Sequence, residues 1–357
     1  MIRSIFSYSK TELEDYLLSK GHKKFRAQQL FDWLYKKRVA DISLMKNLPK
    51  SLQEELGSLF TWPKLDIIER LNSSDGASKL LLKGLKQQSY EAVILRYENR
   101  TSLCVSSQVG CKLACAFCQT GKLGFFRHLS LEEILGQFYL ANQIVSEEGR
   151  QISHVVFMGM GEPLDNFENV LASVEALTDE ARLGLSSRKV TVSTSGLADR
   201  IEELSTKTKS ALAISLHACN DKLRSKLMPI NRRYSLARLK ESLHTYQKNT
   251  GNKITLEYIL IQGENMAPQH AKELVKFIHG LKVKVNLIPF NEHPGMPFKR
   301  PVEQEIEFFQ KHLSERGIPS PVRYSKGQGV SAACGQLAAK DKEKINCVPL
   351  RKNVVGF

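Results

Sequence analysis

Seven cysteines stand at positions 104, 111, 115, 118, 219, 334 and 347 of the 357-residue chain. Three of them, Cys111-x-x-x-Cys115-x-x-Cys118, fall within eight residues. Soft thiolates gathered on one short loop suit an iron–sulfur cluster. Three ligands leave one iron open, and an open coordination position is what separates a catalytic metal centre from a closed structural one. Cys104 offers the competing arrangement, since as a fourth ligand it would close a four-cysteine cluster or a zinc site without catalysis. Spacing alone leaves both standing. The first residues reach Lys10 and Glu12 before a secretory apolar segment could form, which predicts a cytoplasmic protein. In that reducing setting cysteines serve metal or redox chemistry rather than a disulfide framework.

These residues need elements to position them. Residues 9–60 read as short helices, with Ser9 and Thr11 as caps and with Leu30, Trp33, Leu34, then Leu52, Leu56 and Leu59 at helical spacing. From Lys79 the period becomes that of strands, at 79–85, 90–97 and 102–106, with Asn99 and Arg100 as a turn. That break predicts a domain boundary near residue 75. Beyond the cysteines, helices at 131–147, 167–177, 197–204, 236–249, 269–279 and 303–315 alternate with strands at 154–158, 189–193, 212–216, 254–261, 284–289 and 322–325. Such βα repetition predicts an α/β fold with a parallel sheet, open or curled into a barrel. Chemistry in such a barrel belongs at the C-terminal ends of the strands. The expected division is a basic helical domain at 1–75, a core at 76–340 and a basic tail at 341–357.

Charge narrows the partners. Lys and Arg number 52 against 37 Asp and Glu, a net +15. An excess of this size favours a polyanion, because neutralising phosphates releases counterions. Residues 1–50 hold eleven Lys/Arg and five Asp/Glu, including Lys20, Lys23, Lys24, Arg26, Lys36, Lys37 and Arg38. Phe25, Phe31, Trp33 and Tyr35 are interleaved with them and serve either a core or a stacked base. No apolar run approaches the roughly 20 residues of a membrane-spanning helix.

The phrase Gly110-Cys111-Lys112-Leu113-Ala114-Cys115-Ala116-Phe117-Cys118 resembles the signature of the radical S-adenosylmethionine (SAM) superfamily, with an aromatic residue before the third cysteine. Met158-Gly159-Met160-Gly161-Glu162-Pro163 is similar to that superfamily's glycine-rich strand end. Six blocks in order sharpen the resemblance to the RlmN/Cfr RNA adenine methyltransferases: 103–111, 193–196, 215–218, 227–231, 286–291 and 332–337. Phe290-Asn291 through Lys299-Arg300-Pro301 is more similar to the RlmN branch.

The resemblance implies a partial (βα)6 TIM-like barrel with a small N-terminal helical accessory domain. It implies a 4Fe-4S cluster on Cys111, Cys115 and Cys118, and two SAM molecules per turnover. The first methylates the Cys334 thiolate; the second yields a 5′-deoxyadenosyl radical that takes hydrogen from the S-methyl group, and the resulting carbon radical adds to adenine. By motif position Glu91 takes the ring proton, and Cys104 resolves the adduct through a transient disulfide with Cys334. Gly161, Glu162, Ser193, Leu216, His217, Ala218 and Asn291 correspond to SAM contacts. RlmN-type enzymes act on carbon 2 of an adenine in 23S rRNA and, for some, on the tRNA adenine 3′ of the anticodon; Cfr-type enzymes act on carbon 8.

Each residue also has a plainer reading. Cys334 alone would be a small buried hydrophobe, as Cys219 and Cys347 are read here. Glu91 alone would be an exposed strand carboxylate, and His217 a satisfied core histidine. The implied partners are RNA, held by the N-terminal basic residues with Lys299 and Arg300, and an electron donor such as a flavodoxin or ferredoxin. A monomer and no membrane contact are expected. Gln119 and Gly329-Val330-Ser331 depart from the family pattern and bear on which RNA or carbon is reached. The rival from another class is an RNA-binding protein with a structural four-cysteine metal site.

Overall fold

The computed structural model describes residues 3–84, 86–293 and 295–338. Cys347 and the basic residues of the predicted tail lie outside them. Near the N-terminus, Ser9 and Glu12 form a reciprocal capping box that opens α1 (Lys10–Ser19). α2 (Phe25–Phe31) and α3 (Lys50–Leu59) follow, and Arg3–Ser4 pairs with Phe60–Thr61 to close the unit on itself. Phe31 and Tyr35 are buried in its core, which settles their role as packing residues. Tyr139 docks the unit onto the rest of the chain: its hydroxyl donates to the Leu34 carbonyl at 2.9 Å, and its ring stacks on Phe6.

The sheet begins with an antiparallel meander, β1 (Asp66–Asn72), β2 (Ala77–Lys83), β3 (Ser89–Arg96) and β4 (Thr101–Cys104). β1 was not legible in the sequence because it is an exposed edge strand with no buried face to impose alternation. Five strands then add in parallel beyond β4: β5 (His154–Phe157), β6 (Val190–Thr194), β7 (Ala211–Ser215), β8 (Ile254–Leu260) and β9 (Val283–Pro289). The order is β9-β8-β7-β6-β5-β4-β3-β2-β1. β4 to β9 form the (βα)6 partial barrel, and the meander extends it past β4.

Helices α4 (Leu131–Ser146), α5 (Phe167–Thr178), α6 (Ala198–Lys207), α7 (Asp221–Leu227), α8 (Leu236–Thr250), α9 (Pro268–Ile278) and α10 (Glu303–Ser314) make the outer layer. Alternation along the strands sorts the two faces. Tyr258 on β8 turns outward and stacks on Phe309 of α10, so its neighbour Glu257 turns inward. The strand expected at 322–325 does not form. Val322 makes one isolated bridge to Leu287, and Pro321 has no N–H with which to extend a ladder.

Candidate active site

The candidate residues converge on the C-terminal rim of the barrel. Cys104 ends β4, Gly161 and Glu162 follow β5, Ser193 lies on β6, Leu216–Ala218 follow β7, and Asn291 follows β9. The cysteine loop leaves a short ribbon, Gln108–Gly110 paired with Phe125–His128. Gly110 has φ +73°, and a Cβ there would overlap the Gly124 carbonyl oxygen, which itself accepts the Cys111 N–H at 2.8 Å. Farther along, the Ala116 amide donates to Leu227 O at 2.8 Å and the Cys118 amide to Cys115 O at 3.1 Å.

Burial pushes all three loop thiols up, Cys115 to about 12. Charge on Cys115 and Cys118 is felt at Cys111, and charge on Cys118 at Cys115, so the three share one field. Among the described residues no three ligating side chains stand close enough to grip a single ion. A cluster does not need that closeness, because it spreads its thiolates over separate irons. The donor set therefore fits a cluster, and loading it releases the thiol protons.

Next to this loop lies a buried pair of charges. Glu162 is 2% exposed, and burial raises its carboxyl to about 7. Its oxygens accept the Ser195 N–H at 2.8 Å and the Leu164 N–H at 3.1 Å. From the other side Arg224, fully buried, donates to Ser195 O at 2.7 Å, Ser215 O at 3.3 Å, Leu216 O at 3.2 Å and Asn231 Oδ1 at 2.9 Å. Ser195 is thus held by a carboxylate at its N–H and a guanidinium at its carbonyl. Burial lowers Arg224 to about 10, opposed by the nearby Cys115. No sequence signal marked Arg224, since a basic residue in a short polar helix reads as a solvated one.

His217 sits in the left-handed region at φ +60°. Its Nδ1 accepts the Ile259 N–H at 3.0 Å and its ring meets Phe117 edge-on at 4.8 Å. Burial, with Arg224 nearby, holds it neutral with a pKa lowered to about 3. Nδ1 is thus taken by the β8 backbone and one ring edge by Phe117.

Two expectations drawn from single residues are corrected. Cys334 is exposed, not a buried hydrophobe, because its segment crosses the mouth instead of entering the core. The thiol faces into that mouth, where desolvation, with Glu257 nearby, raises it to about 11. Asn291 Nδ2 donates to the Cys334 carbonyl at 3.1 Å, and the Gln119 amide donates to Gly335 O at 2.8 Å. Glu91, far from being exposed, is 4% exposed beneath the same segment. Cys104 is partly buried, its thiol raised by desolvation and by Cys334 rather than by the loop cysteines. Cys104 and Cys334 are both free thiols.

The match to known proteins spans this whole arrangement. Residues 105–278 match the model of the radical SAM superfamily, and residues 4–61 match the ribosomal RNA large subunit methyltransferase N-terminal domain. A probable dual-specificity RNA methyltransferase RlmN of Bacillus thuringiensis (strain Al Hakam) is 41% identical over 96% of this chain and 94% of its own. The chain belongs to the RlmN/Cfr family of radical SAM RNA methyltransferases. It is an enzyme of that family, whose chemistry uses an iron–sulfur cluster and SAM. A relative from Bacillus anthracis (strain A0248) matches to the same extent. A crystal structure of a radical SAM methyltransferase from Sphaerobacter thermophilus superposes with a TM-score of 0.91 at 40% identity, covering 95% of this chain and all of that one.

The basic residues of the N-terminal unit divide by environment. Lys23 and Lys24 are exposed, the latter 3.2 Å from Glu14. Lys37 lies over the partly exposed Trp33 ring at 3.5 Å, and Phe25 is 47% exposed beside Arg26. Arg38 is spent otherwise: it covers Phe138 and donates to Asn142 Oδ1 at 3.3 Å, joining the unit to α4. Lys299 is exposed on the rim, while Arg300 lies over Tyr324. No described helix is long and apolar enough to cross a membrane.

Proposed function

We propose that this enzyme methylates carbon 2 of adenine in 23S rRNA, and the tRNA adenine 3′ of the anticodon, by way of a methylated Cys334. The observation that carries the reading is the division of the thiols. Cys111, Cys115 and Cys118 stand together on one loop, while Cys104 ends β4 on the sheet face that the Cys334 segment covers, and Cys334 lies between, close enough to feel both Cys104 and Cys118. A closed four-cysteine site would have drawn Cys104 into the first group.

In this reading the 4Fe-4S cluster and two SAM molecules per turnover supply the methyl group, the electron and the 5′-deoxyadenosyl radical that activates the methyl carbon. The chain supplies the rest. The ends of β5, β6 and β7 with Asn291 form the SAM cradle, and His217 contributes to it through its backbone. Cys334 accepts the methyl on Sγ, which requires the thiolate. Its raised thiol makes that step depend on positive charge arriving beside it, as the sulfonium of SAM does. Glu91 takes the proton from the ring carbon, and the C–H electron pair stays in the ring. Cys104 then gives up its proton and attacks Cys334 Sγ, forming an S–S bond as the bond from that sulfur to the transferred carbon breaks; that carbon keeps the electron pair and takes up a proton to become methyl, and the unpaired electron left by the radical addition passes back to the electron-donor system.

The N-terminal unit that closes at Thr61 serves RNA binding, through Lys23, Lys24, Arg26, Lys36 and Lys37 with Lys299 on the rim; the sheet that begins at Asp66, ahead of the boundary expected near residue 75, and its barrel are the catalytic core. A monomeric cytoplasmic enzyme reduced by a flavodoxin or ferredoxin completes the reading. The test is anaerobic reconstitution with iron and sulfide, then reduction and incubation with SAM and 23S rRNA fragments or tRNA. 5′-Deoxyadenosine together with 2-methyladenine supports it. 8-Methyladenine assigns carbon 8 instead, and a cluster that binds no SAM favours a structural site.

A further inference from the structure

Both carboxylate oxygens of Glu91 are taken. Oε1 pairs with Lys79 Nζ at 3.0 Å, and Oε2 accepts the Ala338 N–H at 2.8 Å. Lys79 Nζ also reaches the Ser331 carbonyl at 3.4 Å. Ser331 and Ala338 bracket Cys334, so one lysine and one carboxylate secure both flanks of the segment bearing the methyl-accepting thiol. The lysine side chain is only 12% exposed, which sets this pair apart from the solvated ion pairs elsewhere on the surface.

Strand register explains the grouping. Lys79 on β2 stands opposite Val93 on β3, and Val93 stands opposite Cys104 on β4. Glu91 is two residues from Val93 and therefore points to the same face. Lys79, Glu91 and Cys104 share the face over which the Cys334 segment folds. Two further groups on this face carry no charge to the pair: Cys104 is a partly buried thiol with its pKa raised, and Ser106 Oγ donates to the main-chain carbonyl of Glu91 at 2.5 Å.

The geometry points to Lys79 as a positioning residue that aims Glu91, and to the Lys79–Glu91–Ala338 tie as a latch on the Cys334 segment that loosens when Glu91 takes up a proton. The inference rests on the reading of Glu91 as the base. The proton leaves the adenine ring carbon for a Glu91 oxygen, and no other reactant is required. A neutral carboxyl has lost the charge that holds Lys79, and it accepts the Ala338 N–H about half as strongly as the anion does. The segment is then freed after the ring proton is removed, which is when Cys104 must reach the Cys334 sulfur. The order of the last two steps is thereby built into the fold.

The latch is measured without RNA, on the anaerobic cluster-loaded full-length chain, as amide exchange of residues 327–338 and as the rate of Cys334 alkylation by iodoacetamide. Lys79→Met and Glu91→Gln should each speed both processes about tenfold, the loss expected for a charge-assisted contact, with Lys79→Arg close to wild type. The double variant should be no faster than the faster single one, because both break the same tie. Exchange in β6 peptides is the internal reference and should not change. Unchanged rates in Lys79→Met and Glu91→Gln, or an equal rise in Lys79→Arg, overturn the latch. If Glu91→Gln methylates normally, the base assignment falls and the trigger with it. If Glu91→Gln is inactive with unchanged exchange, the base assignment stands and the latch alone is wrong.

Discussion

The two cysteine-bearing segments of the mouth are built in opposite ways. The loop of Cys111, Cys115 and Cys118 is folded largely by its own neighbours, through bonds such as Cys118 N–H to Cys115 O and Cys111 N–H to Gly124 O. The Cys334 segment makes turns of its own, the Ala332 N–H donating to Gly327 O at 2.9 Å and the Gln336 N–H to Ala333 O at 3.0 Å, but its place over the mouth is set from afar. It is held by Thr120, 217 residues away, whose hydroxyl donates to Leu337 O, and by Glu91, 247 residues away. Local contacts close short loops at small entropic cost, whereas the distant ones require a completed barrel. The difference separates assembly from turnover: the cluster loop can be loaded whatever the state of Cys334, but methyl transfer needs both segments in register.

The largest effect should come from removing the thiol on the distant segment. Cys334→Ala is expected to abolish methyladenine formation while leaving iron content and the cluster absorption unchanged. Cys115→Ala should lose iron as well as activity, and metal analysis beside product analysis distinguishes the two. Iron loss in Cys334→Ala would erase the proposed separation.

Cys104→Ala sharpens the comparison from the other side, because this thiol lies on β4 yet is set against Cys334. The variant should keep its cluster, lose product formation by on the order of a hundredfold or more, and accumulate a covalent protein–RNA adduct on denaturing gels. Loss of iron instead would place Cys104 among the metal ligands.

The same contrast explains what the sequence alone could disclose. Cysteines spaced within eight residues announce themselves, as do βα repeats whose strands bury both faces. The family resemblance supplied Glu91 and Cys334, but nothing local distinguished that glutamate from a solvated one on a strand. Arg224 and Lys79 went unnoticed because their partners are backbone carbonyls and a carboxylate from other parts of the chain. The edge strand Asp66–Asn72 stayed hidden because exposure removed its alternation, and the strand read at 322–325 reduces to the single bridge of Val322 to Leu287.

Stability at low pH probes the part of the rim shared by both segments. His217 is neutral in the fold, with its pKa lowered to about 3 by burial, while in the unfolded chain it titrates near 6.5. Between those values the unfolded state binds the extra proton, so stability present above pH 6.5 is lost as the pH falls towards 3. The loss is at most about 5 kcal/mol. His217→Asn keeps an acceptor for the Ile259 amide and tolerates the left-handed backbone, so denaturant midpoints of the metal-free protein should show a shallower acid limb. Arg224→Met should cost about 3 kcal/mol at neutral pH, since it leaves several buried carbonyls without a donor, and should itself make the acid limb shallower by removing a cation that depresses His217. An unchanged midpoint would show that those carbonyls find other partners.

The smallest expected effect concerns Asn291, the residue that ties the end of β9 to the Cys334 carbonyl. Its amide donates to that carbonyl at 3.1 Å and to Ser325 Oγ at 3.0 Å, while its oxygen accepts from Gln328 at 3.0 Å. Asn291→Ala removes these neutral bonds, of which the one to the Cys334 carbonyl, worth about 0.5–1 kcal/mol net, bears on the thiol, and leaves the Lys79 and Glu91 contacts in place. Cys334 alkylation without SAM should therefore rise only a few-fold, less than in Lys79→Met, with iron content unchanged. A larger rise than in Lys79→Met would move the principal anchor of the segment from the meander to the end of β9. The charge at Glu91 would then have little leverage over the thiol it is meant to release.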